Sequence, residues 1–175
     1  MTQIKFLPSF RFTALILFIF LHYQSFAQET PSPMLAMARE EMPAAFKGEA
    51  ASISLNDKLK SIKDPEPVLK GYVGASYIAK ARYSPLFDKK GLLNTGTKIL
   101  EEAIQEKPNN LELLFLRMTI QTNLPSFLGY NDNIESDKKF ILANYESAMP
   151  TLKARIVKFI KKSDNFTDEE KATVN

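Results

Sequence analysis

Cysteine is absent from this 175-residue chain, and histidine occurs once, at His22. Without cysteine there is no disulfide to staple the fold, no thiolate nucleophile, and no lipobox residue to carry a diacylglycerol anchor. His22 falls in an N-terminal segment expected to be removed, so Ser-His-Asp triads and histidine metal sites are excluded by residue type from the remainder. Carboxylate, lysine, tyrosine or serine chemistry is all that is left. Stability must come from an apolar core.

A membrane-spanning run is also missing. The longest apolar stretch, Phe12 to Leu21, is about ten residues, half of the roughly 20 that cross a bilayer. It follows Lys5 and Arg11, no acidic residue precedes it, and Ser25-Phe26-Ala27 puts small residues at −3 and −1 of a cut before Gln28. A charged start, an apolar middle and a small-residue cleavage site form the layout of a secretory signal peptide. Residues 1–27 are therefore expected to be a leader, and the product to be periplasmic or secreted with no stable membrane span after cleavage. Removing them leaves 21 basic against 20 acidic residues. The mature chain is near neutral, and the sequence pI of about 9.0 overstates the case for nucleic acid or an anionic membrane; no nucleic-acid partner is expected. The basic stretch Lys153, Arg155, Lys158, Lys161 and Lys162 reads as a solvated helix face.

No segment shows sustained strand alternation, and apolar residues recur at three and four. The expected class is all-α. Residues 28–33 are polar and broken by prolines, expected to be disordered; residues 34–165 should form one helical domain, and 166–175 a polar tail. Short helices are expected over Met34–Met42, stopped by Pro43, and over Leu55–Ile62. A stronger start follows at Asp64-Pro65, where Asp64 can cap a helix running to Ala81. Gly71, Gly74 and Ala75 are small at helical spacing, which suggests close approach by a neighbouring helix. A loop is expected over Ala81–Lys90. After it, Leu92/Leu93, Gly96, Ile99/Leu100 and Ala103/Ile104 form an inward stripe, with Lys98, Glu101, Glu102 and Gln105 outward.

Asn109 or Asn110 can cap the next helix, Leu111–Asn123, which is apolar on nearly every side and so belongs at the centre of the fold. Pro125–Tyr130 is a turn expected to be packed down by its bulky apolar residues. Asp132, with Glu135 three residues on, is the expected cap of a helix reaching Tyr145. Pro150 starts the last full helix, with Leu152, Ile156, Phe159 and Ile160 inward, and Thr167 to Glu170 is a capping-box pattern. The oxygen-rich run Asn131–Asp137 has the alternation of a calcium loop, but Ser136 stands where glycine is needed and Leu142 where the bidentate acid should be. It reads as a capped helix start; no metal and no cofactor are expected.

The spacing of Gly96, Leu100, Ala103 and Pro108 resembles the second helix of a tetratricopeptide repeat, and Val73-Gly74 with Tyr77 resembles the first. The match covers roughly Pro67–Gln121, about one and a half repeats, and departs from the family by a loop about ten residues too long. The resemblance implies antiparallel helix pairs and a concave face that binds peptides or proteins. So few repeats need flanking helices to complete the core, so a compact bundle is expected rather than an open solenoid. Pro108–Glu112, Phe127–Tyr130 and Asp137-Lys138, with the Ala27-Gln28 junction, also resemble uncharacterised exported helical proteins of Bacteroidota-type bacteria. That likeness implies a compartment and no activity.

Arg117 stands out, a guanidinium inside an apolar helix with Gln121 one turn on. Either it forms an internal ion pair with Glu135 or Asp137 that fixes helix register, or it clamps an anion or carboxylate in a groove. Phe127, Tyr130 and Tyr83, in loops, either plug the bundle ends or mark a binding surface. The adjacent pairs Glu101-Glu102 and Glu40-Glu41 diverge on a helix and make no catalytic dyad. The sequence points to an exported, non-catalytic helical module of the bacterial envelope that binds a protein or peptide through Tyr77, Arg117, Gln121, Phe127 and Tyr130. A structural envelope component and, third, a carboxylate-based hydrolase are the alternatives.

Overall fold

The computed structural model describes residues 31–174. The expected leader over 1–27 and residues 28–30 of the next segment lie outside the described residues. Eight α-helices and two short 3-10 turns follow, with no strand among the described residues: α1 Pro33–Ala45, α2 Glu49–Leu59, α3 Pro67–Tyr83, α4 Leu86–Glu106, α5 Leu111–Gln121, α6 Ile134–Asn144, α7 Pro150–Lys162 and α8 Asp168–Ala172. The 3-10 turns are Ser126–Leu128 and Tyr145–Ser147. The chain is all-α, and no helix of the described residues is long and apolar enough to cross a membrane.

Two apolar cores share α5. Leu113, Leu114, Leu116 and Ile120 join the first, built with α1 to α4, whereas Phe115 and Met118 join the second, built with α6, α7 and the C-terminal residues. Every α5 residue except Leu111 and Thr119 is buried, which is where all-round apolarity places a helix. Asn110 starts it, its Oδ1 accepting the Leu113 N–H at 3.0 Å.

Several boundaries differ from the sequence reading. Pro43 does not stop α1: it lies inside the helix. A proline near the C-terminal end removes one N–H donor, and burial of Met42 and Ala45 holds the last turn in place. The second helix runs Glu49–Leu59 rather than Leu55–Ile62. Asp64 does not cap α3. It takes a left-handed conformation, φ 46°, and Glu66 caps instead, accepting from Val68 N–H at 2.9 Å and Leu69 N–H at 3.1 Å. Asp132 likewise gives way to Asn133 ahead of α6, where no side-chain cap forms.

The largest difference is the expected loop over Ala81–Lys90. Helix α3 continues to Tyr83 and α4 begins at Leu86, so only Ser84 and Pro85 link them. Pro85 holds Ser84 extended and its carbonyl accepts from the N–H groups of Asp88 and Lys89, each at 3.0 Å. The new turn of α4 carries Leu86 and Phe87, which are exposed and therefore fall outside the apolar periodicity.

Across this link α3 and α4 meet without side chains. A Cβ on Gly74 would stand 2.6 Å from the Gly96 carbonyl oxygen and 2.7 Å from Leu100 N; one on Gly96 would stand 2.6 Å from the Gly74 carbonyl oxygen. Lys70, one turn before Gly74, pairs with Glu102 at 3.1 Å and Glu106 at 2.8 Å. Residues 166–174 of the stretch expected as a polar tail contribute to the second core: Phe166 and Val174 are buried, Phe166 stands edge-on to Phe159 at 6.1 Å, and the Thr167–Glu170 capping box holds α8.

Gly74→Ala and Gly96→Ala should each destabilise by at least about 1–3 kcal/mol, because the added methyl meets backbone that cannot yield. Gly91→Ala, where a Cβ meets nothing within 4 Å, should stabilise by up to about 1 kcal/mol. Urea unfolding of the three variants measures the contrast; equal effects at positions 74 and 91 would contradict the close approach.

Candidate functional site

Arg117 projects from α5 into a polar cluster between α4, α6 and the loop after α5. Its Nε donates to Asp137 Oδ2 at 2.8 Å and Nη2 to Asp137 Oδ1 at 2.7 Å, a bidentate pair. Nη1 donates to Glu101 Oε2 at 2.8 Å. The other oxygen of Glu101, Oε1, accepts from the Tyr130 hydroxyl at 2.5 Å. One guanidinium thus joins three elements, and Glu101 passes the connection to the loop. The Asp137 side chain is only 3% exposed. Burial opposes the charge on Arg117, but its hydrogen bonds and attraction to Asp137, then Glu101, outweigh this and raise its pKa. Burial, reinforced by the hydrogen bond to Glu101, raises the Tyr130 hydroxyl as well.

Gln121 extends the cluster by one turn. Its Nε2 donates to Asn133 Oδ1 at 3.3 Å, and its Oε1 is buried with no hydrogen-bond partner among the described residues. Glu135 does not reach Arg117. It lies 70% exposed beside Lys138 Nζ at 3.3 Å; two residues before Asp137, it falls about 200° round α6, on the side away from α5. Tyr77 is not drawn into the cluster either; it is half-buried on α3 and packs against the first core.

Glu101 was expected to face outward, but the structure turns its half-buried carboxylate toward Arg117 and Tyr130. Thr97, Glu101 and Ile104 lie on one face at helical spacing, bordering the buried Gly96–Leu100–Ala103 stripe, and that border faces α5. Spacing alone could have placed Glu101 there; its charge argued the other way.

A second polar cluster went unsuspected. Glu112, at the start of α5, is buried and accepts from Arg39 Nε at 2.7 Å and Nη2 at 2.6 Å. It also accepts from the Tyr72 hydroxyl at 2.8 Å; the Arg155 guanidinium reaches that hydroxyl at 3.4 Å. Burial, then the Glu112 charge, raises Tyr72 well above an ordinary phenol. An acid in an otherwise apolar helix needs a partner as surely as Arg117 does, and that was its sequence signal. A third group sits under α3, where Asn56 Nδ2 donates to Ser76 Oγ at 3.1 Å in the core.

The loop Leu124–Tyr130 is not packed down as a whole. Leu124 and Tyr130 pack against the first core, whereas Phe127 is 85% exposed and Leu128 42%. Pro125 opens the 3-10 turn and Gly129, at φ 66°, closes it with its N–H on Ser126 C=O; that conformation is open to glycine at little cost. Both ends of the loop are fixed, so its apolar tip points away from the protein because of the turn geometry.

No protein-family model matches the chain, and comparison with curated proteins and with solved structures yields no match. The fold and its polar clusters define an all-α protein with two cores and a central helix whose charges are met from within.

Arg117→Met should cost about 3–5 kcal/mol, because it leaves the buried Asp137 carboxyl without its partner. Arg117→Met with Asp137→Leu should recover part of that loss in a double-mutant cycle by chemical denaturation. If the single variant unfolds like the parent chain, the pair is not structural. A pH dependence follows from Tyr72 and Tyr130. Their folded pKa values lie above the unfolded value of about 10, so the stability they contribute is complete below that pH and is lost as pH rises toward the folded values. The melting temperature should fall between about pH 10 and 11, less steeply in Tyr72→Phe/Tyr130→Phe.

Proposed function

We propose that this is an exported, non-catalytic helical module of the bacterial envelope, and that it binds a protein or peptide through the Phe127–Leu128 loop. The observation that carries this reading is the presentation of Phe127. An aromatic residue that is nearly fully exposed, on a loop fixed at one end by Leu124 and at the other by the Tyr130–Glu101 hydrogen bond, offers contact area that needs little further ordering when a partner docks. Arg117 supports the loop from behind rather than touching the partner, since its guanidinium is taken up by Asp137 and Glu101.

The tetratricopeptide-like reading of the centre gains support from the two-residue link between α3 and α4, which removes the long loop that set the chain apart from the family. The order of contacts, with Lys70 on Glu102 and Glu106 and Gly74 on Gly96, supports antiparallel pairing of these helices. A second reading, a structural envelope component, is favoured by the internal neutralisation of both charges of α5. A carboxylate hydrolase has less in its favour: both oxygens of Asp137 are held by Arg117 and the side chain is buried, so a substrate has no route to it.

A photo-crosslinking residue at position 127, in cells of the native producer, should give one discrete protein adduct. The same residue at exposed position 53 should not. The adduct should weaken at least about tenfold on Leu128→Ser, with folding unchanged. Absence of a discrete adduct at 127, or an equal one at 53, would favour the structural component.

A further inference from the structure

The short link between α3 and α4 ends in a second apolar projection, unrelated to the Phe127 loop. Leu86 is 86% exposed and Phe87 99%, and neither side chain belongs to either apolar core. Isolated exposed apolar residues are ordinary, but two adjacent ones at a helix tip are set here among cations. Lys89 and Lys90 lie one turn along α4, on the side of Leu86 and Phe87 by helical spacing. Arg82 lies on the last turn of α3, across the two-residue link. The Tyr83 hydroxyl donates to Phe46 C=O at 3.1 Å, which brings exposed Lys47 to the same end. Against these four cations stand Asp88 and Glu49, and none of the four cations takes part in an ion pair among the described residues.

We infer that this end of the molecule docks on an anionic phospholipid surface, with Leu86 and Phe87 entering the interface and Lys47, Arg82, Lys89 and Lys90 meeting the headgroup charge. The charge pattern selects this occupant. A protein groove for two apolar side chains has no need of a cationic surround, whereas an interfacial anchor combines apolar insertion with basic residues one turn back, whose stems reach the headgroup level. Either signal alone gives marginal binding, and together they give reversible attachment. Net neutrality of the mature chain is no obstacle, because surface potential acts within a screening length of the lipid. This inference does not rest on the Phe127 reading.

The chain has no tryptophan, so Phe87→Trp supplies a single fluorophore at the tip and a readout specific to that position. Full-chain Phe87→Trp protein is titrated with vesicles of 30% phosphatidylglycerol in phosphatidylcholine, and with phosphatidylcholine alone. The expected result is a blue shift and quenching by brominated acyl chains on the anionic vesicles, with binding at least about tenfold weaker on the neutral ones and reduced by 0.5 M salt. Leu86→Ser should weaken binding by about tenfold, and Lys89→Gln/Lys90→Gln by a similar factor on anionic vesicles only, with unchanged melting temperatures. An unshifted tryptophan, equal shifts on both vesicle types, or a shift produced instead by protein concentration through self-association would overturn the proposal.

Discussion

Helix α5 is the constraint on which the structure depends. It has too little polar surface to lie at the edge of the molecule and too much charge to be buried alone. Nine of its eleven residues are buried, so it must have neighbours on all sides, and α1 to α4 on one flank with α6 and α7 on the other provide two cores where a chain of this size could have had one. Glu112 and Arg117 lie five residues apart, about 140° out of phase round the helix. Each charge therefore faces a different set of elements, and each has to be met there.

These two charges are answered in the same way. Arg39 closes on Glu112 with two hydrogen bonds, and Asp137 on Arg117 with two. Such pairs add little net stability over an apolar replacement, because desolvation offsets attraction, but an incorrect arrangement that strands one charge is costly. They therefore penalise wrong docking more than they stabilise right docking: Glu112 fixes α1 against α5, and Arg117 fixes α6 and α4. Through Glu101 the second pair extends to Tyr130, and so the burial of a charge in the core sets the position of a surface loop. Projection of Phe127 follows from that chain of contacts.

Much of this was legible along the chain. Asn110, Pro150 and the Thr167–Glu170 box start helices where local chemistry says they should, since a cap involves only residues three or four apart. Repeated small residues in α3 announced a close neighbour, and Gly96 of α4 is that neighbour. What misled was also local. Asp64 and Asp132 are good caps by type, but the backbone around Pro65 and Pro67 leaves the role to Glu66, and Asn133 precedes α6. Leu86 and Phe87 concealed the first turn of α4 because exposed apolar residues break the inward stripe by which a helix is recognised. Phe166 and Val174 hid the end of the domain in a stretch that is otherwise polar.

The sequence by itself determined the all-α class, the central place of α5, the need of Arg117 for an anionic partner and the absence of thiol chemistry. Each is a matter of residue type or of spacing within one helix. Only the tertiary structure decided that Asp137 and not Glu135 answers Arg117, that Glu101 turns toward Arg117 and Tyr130, that Arg39 reaches Glu112 from 73 residues away, and which aromatic residues remain exposed. Those outcomes depend on the angle and register at which helices dock. Docking is set by the sum of many small packing terms over both partners, with no local pattern to record it.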